Sequence, residues 1–185
     1  MSNLAGRRGR IYLTGFMGSG KSTVGPILAN TIGYDFVDVD RTIEEAEGIS
    51  VGEVFRVRGE DFFRRREREV IAQLSHERKM VVALGGGALV DPANRETIRT
   101  TGILVYLRVP KELLMKRLQR REDRPLLTDA EGSRLSEGEL HDRVEALFRT
   151  REPFYAKADL IIDVDERHVG VTVDRVARML VPFLR

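Results

Sequence analysis

A segment near the amino end has the residue types of a loop that holds phosphate groups. Residues 15–22 read Gly-Phe-Met-Gly-Ser-Gly-Lys-Ser and match the pattern G-x-x-x-x-G-K-[ST] at every fixed position. Glycines let backbone N–H groups approach phosphate oxygens without a Cβ in the way. A helix that begins near Lys21 would add the positive end of its dipole. The segment predicts a nucleotide-binding loop rather than a glycine-rich turn that binds nothing.

The same loop supplies groups for the terminal phosphates and for a metal. Lys21 is expected to reach the β- and γ-phosphates, and the Ser22 hydroxyl is expected to coordinate Mg²⁺. The pattern therefore predicts that the protein binds a nucleoside triphosphate with Mg²⁺. The predicted nucleotide-binding residues of the loop are Gly18, Ser19, Gly20, Lys21, Ser22 and Thr23.

Two carboxylates follow the second apolar run of the chain, at Asp38 and Asp40. Alternation along a strand would point both side chains to one side, at the carboxyl edge of a sheet, where α/β proteins bind ligands. One carboxylate could help to hold Mg²⁺, and the other could accept the proton of a substrate hydroxyl. The alternative interpretation is that they only cap the following helix.

Two other groups could form a pocket for a second substrate. Three glycines at 85–87 follow the third apolar run and could offer backbone groups to a ligand, although a tight turn is the alternative. Arg64 and Glu67 are three residues apart on an amphipathic pattern and so share a helix face. The remaining arginines of this charge run are interpreted as a solvated face: Arg65, Arg66 and Arg68.

The elements that must position these residues alternate between strands and helices. Continuous apolar runs without clean alternation are typical of strands that are buried on both faces of a parallel sheet. Longer segments with helical spacing separate them, which predicts right-handed crossovers and a three-layer α/β domain. The predicted strands are residues 10–14, 34–38, 80–84, 103–107 and 160–164.

Composition limits the remaining possibilities. A chain of 185 residues, 42% apolar and 32% charged, fits one globular domain, residues 1–185. With 31 Lys and Arg against 29 Asp and Glu, bulk charge does not favour nucleic acid. Cysteine is absent, and no apolar run approaches the roughly 20 residues of a membrane span or forms a secretory signal. We expect a soluble cytoplasmic protein.

Three classes of nucleotide-binding protein compete. A guanine-specific GTPase would carry Asn-Lys-x-Asp after a late strand, and the chain has no such tetrapeptide. At 185 residues there is little room for the arms or partner domains of a motor. Phosphoryl transfer to a small hydroxyl substrate remains, and it requires a carboxylate near the acceptor and cations over the transferring group.

Taken together, these motifs resemble the shikimate kinase family over nearly the whole chain. Each motif is weak alone, but six in the family's order are specific. After the phosphate loop 15–23 come Asp38-x-Asp40, Phe63-Arg64-x-x-Glu67, Gly85-Gly86-Gly87, Arg124-Pro125-Leu126-Leu127 and Arg151-x-Pro153-x-Tyr155.

The resemblance implies a fold and an activity. The fold would be similar to nucleoside monophosphate kinases, with a five-stranded parallel sheet in the order 2-3-1-4-5 and a lid at roughly 119–140. The activity would be ATP-dependent phosphorylation of the 3-hydroxyl of shikimate, in the route to chorismate and the aromatic amino acids. The enzyme would be a monomer with a small-molecule substrate and no nucleic-acid or membrane partner.

The resemblance also implies roles for residues on the substrate side. Asp40 would bind ring hydroxyls and is the candidate base. Arg64 and Arg151 would hold the shikimate carboxylate, which suits the guanidinium fork. Glu67 would orient Arg64, and the backbone of Gly85, Gly86 and Gly87 would line the pocket.

On the nucleotide side, Asp38 would lie near Mg²⁺ with Ser22. Arg124, on the lid, would reach over the γ-phosphate and act in catalysis with Lys21 and Asp40. Arg117 would lie against the adenine, and Arg167 is a further candidate for contact with the base.

Two alternatives stay open at this stage. A related carbohydrate kinase such as gluconate kinase would share the loop and the fold, and gluconate is also an anionic polyol. A less favoured alternative, from a different class, is a regulatory switch that hydrolyses nucleotide slowly and signals by conformation.

Overall fold

The computed structural model describes residues 9–119, 135–166 and 168–184. Its centre is a five-stranded parallel sheet with the strand order β2-β3-β1-β4-β5, which confirms the predicted fold. The strands are β1 (Arg10–Thr14), β2 (Asp35–Asp38), β3 (Met80–Ala83), β4 (Ile103–Arg108) and β5 (Leu160–Asp163).

The apolar runs form strands because they are covered on both faces. All four residues of β3 are buried, as are the first five residues of β4. A parallel sheet needs such cover, because helical crossovers lie over its faces. The helices are α1 (Lys21–Ile32), α2 (Val39–Glu47), α3 (Val51–Arg58), α4 (Glu60–Leu74), α5 (Pro92–Thr101), α6 (Lys111–Gln119), α7 (Glu137–Tyr155) and α8 (Val169–Leu180).

The register of the central strands brings three loops to one edge of the sheet. Ala83 at the end of β3 is level with Leu13 of β1 and with Asp38 of β2. The residues that follow these positions therefore leave the sheet side by side. They are the phosphate loop, the start of α2 and the three glycines, so the topology explains why motifs far apart in sequence meet.

The second strand ends at Asp38, as predicted, but a helix follows it directly, and this corrects the placement of Asp40. Val39 already begins α2, so Asp40 lies in the first helical turn and not on the strand. Asp38 is the N-cap of that helix, and its side chain accepts from the backbone N–H groups of Asp40 and Arg41. Asp38 therefore caps α2 through Oδ1, while its Oδ2 accepts from the Ser22 hydroxyl.

The carboxyl end of the segment predicted as a lid, 119–140, is helical. Ser136 caps α7 through a capping box with Glu139, so residues 137–140 form the first turn of that helix. Residues 120–134, with Arg124, and Arg167 lie outside the described residues. Within the described part of the chain, none of the helices is long and apolar enough to cross a membrane.

Candidate active site

The phosphate loop connects β1 to α1 in the order the motif predicts. Gly15, Gly18 and Gly20 have φ values of +145°, +78° and +100°, which side-chain-bearing residues rarely adopt. At Gly15 space is limiting as well, because a Cβ would lie 2.8 Å from the carbonyl oxygen of Leu107. The glycines therefore give the loop a path that other residues could not follow.

Two cations hold the loop in place. The Lys21 Nζ donates to the carbonyl oxygens of Gly15 at 2.8 Å and Phe16 at 3.2 Å. Arg117 of α6 donates to the carbonyl oxygen of Gly18 at 3.0 Å and to that of Asp165 at 3.5 Å. Arg117 thus joins the loop to the segment that follows β5, and Lys21 lies over the loop where phosphates are expected.

A pair of oxygen-bearing side chains lies at the start of α1. The Ser22 hydroxyl donates to Oδ2 of Asp38 over 2.7 Å. Mg²⁺ prefers hard oxygen ligands and usually takes only one or two from the protein, the rest coming from water and phosphate. This pair fits that donor set, whereas the described residues contain no cluster of three or more His, Cys, Asp or Glu side chains for a metal.

These groups surround a cavity of about 510 Å³ above the sheet edge. One part of its wall consists of Val164, Val169 and Thr172. This part was not predicted from the sequence. Val164 directly follows β5 and is the last apolar residue of the fifth run, which is the one signal that could have indicated this wall. The residues lining the cavity include Gly18, Ser19, Gly20, Lys21, Ser22, Thr23, Asp38, Asp40, Gly86 and Arg117.

Beside this cavity, Arg64 and Glu67 form a partly buried ion pair on α4. Nη1 of Arg64 donates to Oε2 of Glu67 over 2.8 Å, and the Glu67 side chain is fully buried. Burial alone would lower the pKa of Arg64, but the charges and hydrogen bonds of Glu67 and Glu60 outweigh it and raise that pKa. Arg64 therefore stays a cation, as a carboxylate site requires.

Burial has the larger effect on the carboxylate of the pair. It raises the pKa of Glu67 above the ordinary glutamate value, against the opposing effect of Arg64. The nearby charge of Asp40 raises the pKa further. Oε1 of Glu67 is buried and has no hydrogen-bond partner among the described residues. The site thus contains an acceptor oxygen that a ligand hydroxyl could satisfy.

The three glycines lie directly against the charged side chains. A Cβ at Gly85 would lie 2.5 Å from Oε1 of Glu67 and 2.6 Å from Oδ1 of Asp40. At Gly87 a Cβ would lie 2.6 Å from Nη2 of Arg64. The absence of side chains therefore leaves room for the charged groups, and a tight turn alone does not account for the triplet.

Arg151 reaches the same glycines from α7. A Cβ at Gly86 would lie 3.3 Å from Nη1 of Arg151. Two guanidinium groups from different helices, Arg64 and Arg151, therefore lie against consecutive glycines. Asp40 and Gly86 also line the phosphate-loop cavity, so the two parts of the site share a wall.

The solvated-face interpretation is correct for Arg65 and Arg68, which are exposed, whereas Arg66 is half-buried. Arg66 of α4 donates to Glu47 of α2 over 2.9 Å, and Arg68 donates to Asp91 over 2.7 Å. Both arginines thus connect α4 to neighbouring segments. The predicted site residues meet at one edge of the sheet, apart from Arg124 and Arg167, which lie outside the described residues.

Comparisons with known proteins agree with this arrangement. The family model for shikimate kinase matches residues 17–181. A shikimate kinase from Chlorobaculum parvum is 45% identical over 175 residues, which cover 95% of this chain and 94% of that protein.

Two solved structures are also similar. A shikimate kinase from Bacteroides thetaiotaomicron has a TM-score of 0.84 and 34% identity, covering 92% of this chain and 97% of that one. A shikimate kinase from Acinetobacter baumannii, in complex with shikimate, has a TM-score of 0.83 and 34% identity, with 98% of each chain covered. With its phosphate loop, paired guanidinium groups and these similarities, the chain belongs to the shikimate kinase family.

Proposed function

We propose that this protein transfers the γ-phosphoryl group of ATP to the 3-hydroxyl of shikimate, with Mg²⁺ as the metal. The observation that carries the proposal is the position of Arg64 and Arg151 against Gly87 and Gly86, since Gly86 also lines the phosphate-loop cavity. That placement puts a site for a small carboxylate next to the site for the terminal phosphate.

The two guanidinium groups suit the shikimate carboxylate. A planar guanidinium can donate two parallel hydrogen bonds to a carboxylate, and such charge-assisted pairs are roughly twice as strong as neutral ones. The two cations do not lie in the pocket without counter-charge, because Glu67 is buried beside Arg64. Glu67 thus balances one of the two guanidinium charges, and the second favours binding of the substrate carboxylate.

Asp40 and Glu67 suit the hydroxyl groups of the ring. Their oxygens face the same space beside Gly85, and ionised carboxylates accept hydrogen bonds from alcohols. In the proposed reaction the 3-hydroxyl oxygen forms a bond to the γ-phosphorus, and the bond from that phosphorus to the bridging oxygen of ADP breaks. Asp40 accepts the hydroxyl proton, so charge and atoms balance.

The phosphate loop carries the other half of the reaction. Phosphoryl transfer depends mainly on positioning and on positive charge near the transferring group. The Lys21 Nζ lies against the loop carbonyls, and rotation of its flexible side chain would let it donate to a phosphate oxygen instead. Ser22 and Asp38 would hold Mg²⁺, which would neutralise phosphate charge. Arg124 is proposed to add a further cation, as the family resemblance implies.

A coupled assay for ADP with the purified protein tests the proposal. Three reactions are compared, with shikimate, with gluconate and without an acceptor. We expect rapid ADP formation with shikimate alone. Turnover with gluconate instead would indicate a carbohydrate kinase, and equal ADP formation without an acceptor would indicate a nucleotide-hydrolysing switch.

A further inference from the structure

Tyr155 is a buried polar residue that the proposed reaction does not use. It is the last residue of α7, and its side chain is 1% exposed. Its ring packs against that of Tyr106 with 5.2 Å between the centroids. A buried hydroxyl costs stability unless it is hydrogen-bonded. The Tyr155 hydroxyl meets this requirement by donating to the carbonyl oxygen of Gly86.

The same hydroxyl lies near Arg151. The two residues are four apart on α7 and so lie on the same helix face. Burial raises the pKa of the Tyr155 hydroxyl, and this effect outweighs the nearby positive charge of Arg151, which lowers it. The hydroxyl therefore keeps its proton at neutral pH and can accept from Arg151 while it donates to Gly86.

These three groups lie close together. A Cβ at Gly86 would lie 3.3 Å from Nη1 of Arg151 and 3.7 Å from the Tyr155 hydroxyl oxygen. The phenol lies near the guanidinium and donates to the glycine carbonyl. It connects α7 to the glycine triplet that follows β3.

We propose that Tyr155 is a positioning residue for the acceptor carboxylate, which acts by fixing both the Arg151 guanidinium and the Gly86 peptide. This inference rests on the proposed function, because it assigns a role at the same shikimate site. The spacing Arg151-x-Pro153-x-Tyr155 is part of the family resemblance. The position of the tyrosine in the structure gives a physical role to that residue of the motif.

Two physical effects follow from this arrangement. A trans peptide is planar, with its C=O and N–H pointing in opposite directions. Because the Gly86 carbonyl points at Tyr155, the N–H of Gly87 in the same peptide points away from it. The guanidinium is also planar, and a carboxylate can bind both its donors only if that plane is correctly oriented. Tyr155 fixes both planes before the ligand arrives, which lowers the entropic cost of binding.

The test compares Tyr155→Phe with Tyr106→Phe. Both substitutions remove one hydroxyl and keep a buried ring of the same packed pair. For Tyr155→Phe we expect the KM for shikimate to rise by about tenfold, since the hydroxyl that fixes Arg151 and Gly86 is lost. We expect the KM for ATP to stay unchanged and kcat to fall by less than about threefold. Tyr106→Phe should leave the KM for shikimate unchanged.

A double-mutant cycle tests whether Tyr155 acts through Arg151. If it does, Tyr155→Phe will raise the dissociation constant for shikimate much less in an Arg151→Ala background than in the wild type. Isothermal calorimetry measures this constant without turnover. Equal effects in both backgrounds would overturn the role through Arg151, and an unchanged KM in Tyr155→Phe would overturn the proposal as a whole.

Two controls keep the outcomes distinct. If the wild-type enzyme does not phosphorylate shikimate, the proposed function fails before any variant is compared. Thermal melts show whether Tyr155→Phe folds. If it does not, Arg151→Lys replaces it, because an ammonium keeps the charge but has no planar fork for Tyr155 to orient. We then expect the KM for shikimate to rise by about tenfold or more, and an unchanged value would overturn the proposal.

Discussion

Arg64 donates to the fully buried carboxylate of Glu67 over 2.8 Å, and the same guanidinium lies against Gly87. The arginine also packs near the rings of Phe55 and Phe63, at 5.8 and 5.3 Å from their centroids. A buried acid on one side and aromatic rings on the other fix where this cation can lie. The acceptor site is therefore organised before any ligand binds, and this organisation leads to the predictions below.

Arg64→Ala is expected to raise the KM for shikimate by about thirtyfold, because loss of a charge-assisted pair costs about 2 kcal/mol. ATP binding in calorimetry should stay near the wild-type value, because Arg64 does not line the phosphate-loop cavity. The neighbouring Arg65→Ala, which removes an exposed arginine from the same helix, is the matched control and should change neither value. A large loss of ATP affinity in Arg64→Ala would contradict the assignment.

Glu67 gives the enzyme a specific dependence on pH. Because burial raises its pKa, Glu67 begins to take up a proton at a higher pH than an ordinary glutamate does. A protonated Glu67 is neutral, so it no longer balances the charge of Arg64. Its side chain then resembles that of a glutamine. Wild-type kcat/KM for shikimate should thus exceed that of Glu67→Gln by about tenfold at neutral pH, and the ratio should fall toward one as the pH decreases.

The ratio of kcat/KM for the wild type to kcat/KM for Glu67→Gln is measured from pH 7 down to the lowest pH at which both enzymes are stable. Because both enzymes use the same substrate, the titration of shikimate itself cancels in this ratio. The midpoint of its decrease reports the pKa of Glu67 in the free enzyme. We expect this midpoint to lie above the ordinary glutamate value of 4.5. A ratio that stays constant down to pH 4.5 would show that burial does not control this carboxylate.

Gly87→Ala tests the close approach of the guanidinium. The backbone at Gly87 has a φ of −102°, which alanine adopts without strain. Its Cβ, however, would lie 2.6 Å from Nη2 of Arg64, so the flexible side chain must move away. We expect the melting temperature to change little and the KM for shikimate to rise by about tenfold, the loss of one charged hydrogen bond.

The matched control is Gly138→Ala, because a Cβ there would have nothing within 4 Å. This variant should keep the wild-type KM. If Gly87→Ala also keeps it, Arg64 does not need its observed position to bind the substrate.

Lys21→Met should lower kcat by on the order of 10³ or more, because it removes a positive charge aimed at the transferring phosphoryl group. Shikimate binding in calorimetry should change little, since Lys21 belongs to the nucleotide side of the site. Lys79→Met makes the same substitution at an exposed lysine beside the amino end of β3 and serves as the control. A kcat for Lys21→Met within tenfold of wild type would remove this lysine from the mechanism.

Sequence patterns predicted the sheet well because each strand is a nearly continuous apolar run. All five predicted strands agree with the observed bounds to within one residue at either end. The pattern failed at Asp40, where helix capping by Asp38 outweighs continuation of the strand. Side chains alternate between two faces only where the backbone is extended, and the extended backbone ends at the aspartate that caps the helix.

The site was predicted less completely than the fold. Local motifs indicated the phosphate loop, Arg64 with Glu67, and the glycines, because each depends on spacing within a short segment. The roles of Tyr155 and of the wall at Val169 and Thr172 depend on contacts between distant segments, which spacing does not show. The single domain, the monomeric state, the cytoplasmic location and the role of Arg124 stay predictions.

The most direct test is a crystal structure of the protein with ADP, Mg²⁺ and shikimate. We predict that the carboxylate of shikimate is bound by both Arg64 and Arg151, that its 3-hydroxyl faces Asp40, and that ADP occupies the phosphate loop. A shikimate molecule bound away from the glycine triplet, with the two arginines directed into solvent, would contradict the proposed acceptor even if ADP is bound as expected.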